Sequence, residues 1–400
     1  MARTRTRRLR RAGGLTAMTC VVALSATTMP AHAAPEGQIL GVGDPGSVSG
    51  SYVVTLKGAT RAPSTAGKSL AEKYGAKISH TYGTVLNGYA VRADERQAKR
   101  LAADPRVASV VQDTRVTLEH TRKNPPSWGL DRIDQANLPL DKSYTWPESA
   151  GAGVTVYVID TGIRVSHKDF GGRASYGWDF VGNDRSAGDG NGHGTHVAGT
   201  IAGQQYGVAK KAKVVAVRVL DDAGGGTTAQ VIAGIDWVTR HARKPAVANV
   251  SLGGNRNAQL DAAVRNSVAA GVTYTVAAGN DGLPAGLYSP AAVREAITVG
   301  ATDKKDARAG FSNTGSVLDV FAPGVSITSA SYASDTGRAT YSGTSMASPH
   351  VAGVAALYLA DHPKASPAQV SKALVAQAAS GKVSGRGLGS PNKLLQVPGS

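Results

Sequence analysis

Gly343-Thr344-Ser345-Met346-Ala347-Ser348-Pro349-His350 is followed directly by an apolar run from residue 351 to 360. Apolar residues recur at helical spacing within that run, which predicts a buried helix beginning at the quoted stretch. Ser345 then lies in the first turn, where free backbone N–H groups and the helix dipole favour a negative charge. Enzymes that use a serine nucleophile place it on such a constrained turn, beside a base. The Gly-Thr-Ser tripeptide alone is also typical of simple helix capping.

All eight residues together resemble the nucleophile motif of the subtilisin-like serine proteases, the subtilases. In that motif Gly-Thr-Ser-Met-Ala-x-Pro-His surrounds the reactive serine, so the resemblance makes Ser345 the candidate nucleophile. It also implies an Asp and a His upstream, in the chain order Asp, His, Ser.

The candidate Asp follows a near-continuous apolar run at residues 154–159, which is typical of a strand buried on both faces of a parallel sheet. Asp160 comes at the carboxyl end of that strand, where catalytic groups gather in such sheets. An Asp after a strand is often only a turn residue. Here Val158-Ile159-Asp160-Thr161-Gly162-Ile163 matches the subtilase motif around the catalytic Asp.

The candidate His lies in Asn191-Gly192-His193-Gly194-Thr195-His196-Val197-Ala198-Gly199-Thr200, and the resemblance identifies His193 as the base. His193 and His196 could instead form a metal pair at i, i+3. The His-Glu-x-x-His pattern is absent and no third ligand is evident. We therefore expect a structural hydrogen-bonding role for His196.

Further segments match the family around substrate. Ala277-Ala278-Gly279-Asn280 resembles the segment whose Asn completes the oxyanion hole, so Asn280 Nδ2 and the Ser345 N–H are the implied donors. The implied substrate-binding residues are Gly224, Gly225 and Gly226 along a groove edge, and Ser251, Leu252, Gly253, Gly254, Ala277, Ala278 and Gly279 in the walls of the primary specificity pocket. Bare backbone pairs with extended peptides by β-augmentation, which predicts broad specificity. Glycine walls favour a bulky apolar or aromatic side chain before the cut.

The net charge of +16 invites a nucleic-acid interpretation, but the charge is uneven. Six Arg residues precede residue 12, whereas residues 121–400 carry 27 Lys and Arg against 20 Asp and Glu, a net of +7. These charges are scattered without aromatic interleaving, which favours a solvated surface over a nucleic-acid site.

Residues 1–33 have a basic start, a modest apolar stretch and the small-residue ending Ala31-His32-Ala33, which predicts a secretory signal peptide. The apolar part is too short to span a membrane. Arg7-Arg8 and Arg10-Arg11 leave both the general and the twin-arginine export routes open. We expect a secreted, extracellular protein with no membrane attachment after signal removal.

Residues 34–120 are predicted to form a small α+β domain, ordered from about residue 51. Its predicted elements are strands at 52–56, 78–82, 89–91 and 107–118 and helices over 69–74 and 98–102, with a hairpin turn at Asn87-Gly88 and a capping box from Asp94 to Gln97. This β-α-β-β-α-β order is ferredoxin-like. Its position resembles the inhibitor I9-type propeptide of secreted subtilases, which implies an intramolecular inhibitor and folding chaperone.

The cut that releases the propeptide is expected near His120-Thr121, because the segment from Asn124 to Ile133 resembles the mature start in the proteinase K and aqualysin branch. Residues 121–400 are then the catalytic domain, predicted as an α/β fold with a doubly wound, mainly parallel sheet, since strands and helices alternate along it.

The one cysteine, Cys20, lies in the predicted signal, so a mature chain would have no disulfide. Structural calcium is the expected substitute. Asp319 matches the carboxylate of a calcium site in the proteinase K branch, and the backbone carbonyls of Arg294 and Ala296 are the other implied ligands. No organic cofactor is expected.

The sequence thus predicts an autoprocessed, monomeric serine endopeptidase that acts on polypeptides. Two alternatives remain. An inactive peptide-binding scaffold would be expected to have lost Ser345, His193 or Asn280, and a nucleic-acid binder predicts salt-dependent DNA retention by the region after residue 120.

Overall fold

A computed structural model describes residues 35–43, 47–84, 86–114 and 119–397. The chain forms two compact units, of which the first ends at residue 115 and the second begins at residue 116. The predicted signal peptide, residues 1–33, lies outside the described residues. Within these ranges no helix is both long and apolar enough to cross a membrane.

The first unit is a four-stranded antiparallel sheet with two helices, and it confirms the predicted ferredoxin-like order. Its elements are β1 (Ser47–Leu56), α1 (Thr65–Lys73), β2 (Lys77–Tyr82), β3 (Gly88–Arg92), α2 (Glu95–Ala102) and β4 (Val107–Thr114). The strand order is β2-β3-β1-β4. The helices bury Leu70 and Leu101 in one core with Val54 of the inner strand β1. The capping box at the start of α2 forms as predicted, between Asp94 and Gln97.

The predicted pairing of strands 78–82 and 89–91 is confirmed as β2 with β3, but the predicted position of the turn at Asn87-Gly88 is wrong. Gly88 already belongs to β3, where it pairs with Tyr82. Asn87 instead fixes the loop after β1, because its side chain donates to the Thr60 carbonyl and accepts from the Ala62 N–H, both at 2.9 Å. Its amide satisfies loop backbone groups that would otherwise lack partners.

The second unit contains the remaining elements. Its helices are α3 (Trp128–Ile133), α4 (His193–Ala202), α5 (Thr228–His241), α6 (Ala258–Ala269), α7 (Thr344–Asp361) and α8 (Pro367–Gln377). Its strands are β5 (Glu119–Lys123), β6 (Ser143–Pro147), β7 (Thr155–Asp160), β8 (Ala174–Asp179), β9 (Lys213–Arg218), β10 (Ala246–Val250), β11 (Gly254–Asn255), β12 (Thr273–Ala277), β13 (Tyr288–Ser289), β14 (Ile297–Thr302), β15 (Val320–Pro323), β16 (Ile327–Ala330), β17 (Arg338–Tyr341), β18 (Ala379–Ser380) and β19 (Lys393–Leu394).

A nine-stranded sheet in the order β18-β19-β15-β14-β12-β10-β7-β9-β8 organises this unit. Every neighbouring pair is parallel except the edge pair β18–β19. Strand β7 is buried on both faces: Val156 and Val158 belong to the core with α4 and α7, while Tyr157 and Ile159 belong to the core with α5 and α6. The predicted doubly wound α/β fold is confirmed.

The functional edge of the sheet follows from this topology. The chain runs from β7 outward to β9 on one side and to β10 and β12 on the other, so β7 lies at a switch point. Asp160 ends β7, Ser251 follows β10 directly, and Ala277 ends β12. Parallel strands end at the same edge, and the sheet therefore brings these three positions together.

Candidate active site

Asp160 and His193 form a hydrogen-bonded pair at this edge. Asp160 is fully buried at the end of β7, and His193 is the first residue of α4, with its side chain 27% exposed. His193 Nδ1 lies 2.8 Å from Asp160 Oδ1, which also accepts the Thr161 N–H at 2.7 Å. This contact places the proton on Nδ1 and leaves Nε2 free to accept another.

The charge of Asp160 also determines how readily His193 is protonated. Burial of the imidazole lowers the pKa of His193, but the charge and hydrogen bond of Asp160, followed by the charge of Asp189, outweigh burial, and the pKa is raised above its ordinary value. The site therefore stabilises an imidazolium.

Ser345 lies in the first turn of α7, as predicted, and Pro349 explains part of its setting. Proline has no N–H, so Pro349 cannot donate to the carbonyl four residues earlier, which is that of Ser345. The Ser251 hydroxyl donates to this carbonyl instead, at 3.0 Å, and itself accepts from Asn249 Nδ2 at 2.8 Å. The Ser345 backbone is thus tied to the end of β10.

The Ser345 hydroxyl donates to the Ser251 carbonyl at 2.9 Å, so its hydrogen is directed there and not to His193. A rotation about the Cα–Cβ bond would redirect it. In enzymes without bound substrate, catalytic hydrogen bonds are often long or poorly aligned, and they tighten only when substrate binds.

Asn280 follows β12 and lies beside the start of α7. Its side-chain oxygen accepts from the N–H of Thr344, and the hydroxyl of Thr344 in turn accepts the Gly279 N–H at 3.2 Å. The segment from Ala277 to Asn280 is therefore fastened to the turn that carries Ser345.

One cleft of about 1080 Å³ brings most of the predicted site together. Its lining includes His193, Asn280 and Ser345, with all of the predicted substrate-binding residues: Gly224, Gly225, Gly226, Ser251, Leu252, Gly253, Gly254, Ala277, Ala278 and Gly279. A Cβ built on Gly254 would meet no atom within 4 Å, so there is open space at that part of the wall.

Two polar residues at the site were not predicted from the sequence. Asn249 is fully buried, and its side-chain oxygen accepts from the hydroxyls of Thr275 and Ser348. Asp189 accepts hydrogen bonds from the loop before α4. A buried Asn within an apolar strand and an Asp before an Asn-Gly turn are the signals that could have indicated them.

His196 is buried and takes the structural contacts expected of it. Its Nε2 lies 2.9 Å from the Ile327 carbonyl, and its ring stacks on Tyr341 at 4.7 Å. Burial lowers its pKa to about 4. In the part of the chain that the structure describes, no group of three His, Cys, Asp or Glu side chains is placed to hold a metal ion.

Asp319 is bonded to Thr298, which follows the segment predicted to share a calcium ion with it. Its Oδ2 accepts the Thr298 N–H at 2.8 Å, and its own N–H donates to the Thr298 carbonyl at 2.9 Å. Burial raises the pKa of Asp319 to about 6, although the Thr298 N–H and the charge of Arg294 oppose the shift. A partly buried carboxylate is an oxygen ligand of the kind that calcium binds.

The predicted cut site, His120-Thr121, lies in β5. This strand pairs with β6 along its length, with His120 opposite Trp146 and Thr121 opposite Thr145. The residues that line the cleft do not include those of β5.

Comparison with protein families gives two matches. A profile described as "Subtilase family" matches residues 151–393, and one described as "Peptidase inhibitor I9" matches residues 51–119. The chain belongs to the subtilase family. It is a serine proteinase of that family whose subtilase domain is preceded by an inhibitor I9 domain.

Individual relatives agree with this assignment. The subtilase is 47% identical to an extracellular serine proteinase of Thermus sp. (strain Rt41A), over 96% of this chain and 99% of that protein. It is 50% identical to alkaline serine exoprotease A of Vibrio alginolyticus, over 80% of this chain and 60% of that protein. A crystal structure of a cold adapted subtilisin-like serine proteinase matches with 53% identity and a TM-score of 0.67, covering 68% of this chain and 98% of that one. The name of the Thermus protein agrees with the predicted extracellular location.

Proposed function

We propose that this subtilase is a secreted endopeptidase of broad specificity that releases itself from its own propeptide. The observation that supports this most strongly is that the hydrogen-bonded His193, the nucleophile Ser345 and the donor Asn280 line one cleft. The Asp160 carboxylate is buried directly behind the imidazole.

The proposed reaction has two halves, the acylation of Ser345 and the hydrolysis of the resulting ester, and the same groups act in both. Ser345 Oγ attacks the peptide carbonyl carbon while its proton passes to Nε2 of His193. Asp160 holds the imidazole by Nδ1 and stabilises its positive charge. The negative charge on the former carbonyl oxygen is held by Asn280 Nδ2 and the Ser345 N–H.

The tetrahedral intermediate then collapses. His193 gives its proton to the leaving amine, which departs and leaves an acyl-Ser345 ester. Water attacks this ester while its proton passes to His193. The second tetrahedral intermediate then expels Ser345 Oγ, which takes that proton back from His193, and the second product leaves with its new carboxyl group.

The proposed specificity rests on the glycine-rich cleft. The Gly224–Gly226 edge exposes backbone to an extended peptide, so the main chain of the substrate supplies most of the binding. The open wall at Gly254 suits a bulky apolar or aromatic side chain before the cut.

The proposed precursor has three parts: a signal at 1–33, a propeptide at 34–120 and a catalytic domain at 121–400. The inhibitor I9 match over residues 51–119 supports the middle part as an intramolecular inhibitor. The mature domain is proposed to act as a monomer on polypeptide substrates.

Proteins with the subtilisin-like fold generally bind structural calcium. We place one such ion at Asp319 with the carbonyls of Arg294 and Ala296, where it would offset the buried negative charge and stabilise the fold.

The test combines proteolysis with active-site labelling. The processed chain should hydrolyse casein and form an adduct with a phosphonofluoridate on Ser345, located by peptide mass spectrometry. Ser345→Ala should abolish both, whereas Ser342→Ala, at an exposed serine three residues earlier, should abolish neither. Binding of casein without hydrolysis would reject the enzyme and favour a peptide-binding scaffold.

A further inference from the structure

The loop that leads into α4 is organised around the carboxylate of Asp189. This carboxylate accepts from the backbone N–H groups of Asn191, Gly192 and Thr195 and from the hydroxyls of Thr161 and Thr195. The three backbone bonds measure between 2.8 and 3.0 Å. Both oxygens are used, so the carboxylate fixes the path of the backbone on both sides of His193.

Thr161 extends this arrangement to the other member of the pair. Its hydroxyl donates to Asp189 Oδ1 and accepts the Gly194 N–H, both at 2.9 Å. Its own N–H donates to Asp160 Oδ1. Thr161 is therefore bonded to Asp160, to Asp189 and to the residue that follows His193.

The two loops also approach closely through glycine. A Cβ built on Gly194 would lie 2.1 Å from the Gly162 carbonyl oxygen, so only glycine fits there. The residues adjoining Asp160 and His193 are thus in direct contact, and a shift of either loop would change the hydrogen bond between them.

We propose that Asp189 is a positioning residue for His193, which holds the start of α4 in register with β7 and stabilises the imidazolium by its charge. This inference rests on the proposed function of His193 as the general base. Asp189 need not touch substrate, because it acts through the loop and through Thr161.

The charged and titratable groups around His193 show which residues could stabilise its imidazolium by charge. Asp160 faces it from β7, Asp189 from the preceding loop and His196 from the same helix. Tyr341 of β17 faces Asp189. Asp160 and Asp189 are the negative charges that raise the pKa of His193.

Asp189→Asn tests the proposal with little change of shape. Because Asn offers one acceptor in place of two and no charge, kcat should fall roughly ten- to hundredfold, the cost of a misplaced catalytic group. The acid limb of the kcat/KM profile should also move to lower pH, since a charge that favours the imidazolium is lost. If the role of Asp189 were purely structural, its replacement would lower activity without shifting the acid limb of the kcat/KM profile. Asp222→Asn removes a carboxylate that borders the same loop at Gly190, and it should leave the limb in place.

Thr161 provides a second test, which decides the matter if Asp189→Asn does not fold. Thr161→Val removes the hydroxyl that links the loops and should lower kcat with little change in KM, and Thr161→Ser should restore it. A valine variant with wild-type kcat would overturn the proposal, as would Asp189→Asn with wild-type kcat and acid limb.

His193→Ala separates this inference from the function on which it rests. An inactive His193→Ala enzyme together with a wild-type Asp189→Asn enzyme would reject only the positioning role. A fully active His193→Ala enzyme would reject the proposed mechanism itself.

Discussion

The side-chain oxygen of Asn280 accepts two hydrogen bonds from Thr344, one from its backbone N–H at 2.8 Å and one from its hydroxyl at 3.0 Å. Both bonds go to the oxygen, so the Nδ2 group is left to donate elsewhere. A Cβ built on Gly343 would lie 3.7 Å from Asn280 Nδ2 and 3.6 Å from the Ser345 nitrogen. The two proposed oxyanion donors therefore border the same small volume.

Replacing Asn280 by Ala should lower kcat by about 10²–10³ with little change in KM, because this donor acts only once the oxyanion has formed. In Asn280→Asp the oxygen that bonds Thr344 remains, the donor is lost and a negative charge is added beside the oxyanion. That variant should be at least as impaired as the alanine variant, by steady-state kinetics on a peptide anilide. Wild-type kcat in the aspartate variant would contradict a donor role.

Ser345→Ala should accumulate as a folded precursor with the bond near His120-Thr121 intact, because the same hydroxyl is proposed to make that cut. The wild-type chain should yield a species that begins at or within a few residues of Thr121. N-terminal sequencing and intact mass of protein purified free of host proteases would check both.

Asn280→Ala is the graded control for this experiment. It should slow the same cut without abolishing it, since the Ser345 N–H remains as a donor. Maturation of Ser345→Ala at the wild-type rate and position would mean that another protease makes the cut.

Removal of calcium with EDTA should lower the melting temperature, because an ion bound only to the folded state stabilises it by mass action. Asp319→Asn should lower it similarly and make it insensitive to EDTA. Asp335→Asn, which removes the charge from an exposed pair with Arg164, should leave the melting temperature nearly unchanged and keep the EDTA response. Equal melting of the wild-type protein in EDTA and in millimolar calcium would remove the ion from the proposal.

Acid should destabilise the protein through its buried histidines. Burial lowers the pKa of both His196 and His350 to about 4, against 6.5 in the unfolded chain. Between these values each of the two histidines binds a proton in the unfolded chain but not in the folded one, so their contribution to the stability falls as the pH falls from 6.5 to 4.

His196→Gln tests how much of this loss of stability at acid pH is due to His196. Glutamine retains an N–H for the Ile327 carbonyl but does not titrate, so the variant should be less stable at pH 7.5 and lose less on going to pH 4.5. Urea unfolding in a Ser345→Ala background, which prevents self-digestion, gives both values. An equal loss in the parent and in His196→Gln would contradict the assignment.

Local patterns were sufficient to predict most of the fold. The apolar run before Asp160 and the helical spacing after Ser345 report burial directly, and β7 and α7 form as predicted. The family motif identified cleft residues that local patterns alone could not. Asn87 was misinterpreted because its hydrogen-bond partners lie 25 to 27 positions away in the chain.

The supporting polar contacts were missed for the same reason. The bond from Ser251 to the Ser345 carbonyl joins residues 94 positions apart, and only the folded sheet brings them together. Asp189 lies four positions from His193, but its role depends on Thr161, which is 28 positions away from it. Composition and spacing indicate which residues are polar, whereas their partners are set by topology.

The pairing of β5 with β6 bears on whether the proposed self-cleavage can run backwards. Peptide-bond hydrolysis through an acyl-enzyme is reversible in principle, since the released amine can attack the ester in place of water. If the bond cut is His120-Thr121, the new amine belongs to Thr121, whose side chain and backbone are engaged with Thr145 of β6. The intact bond is itself held on β6, away from the residues that line the cleft, so β5 would have to leave β6 for the cut, and residues 121–123 would pair with β6 again after it. That renewed pairing would hold the new amine apart from Ser345 and leave the ester to water, so re-formed precursor should be detectable by intact mass only when the pairing is broken.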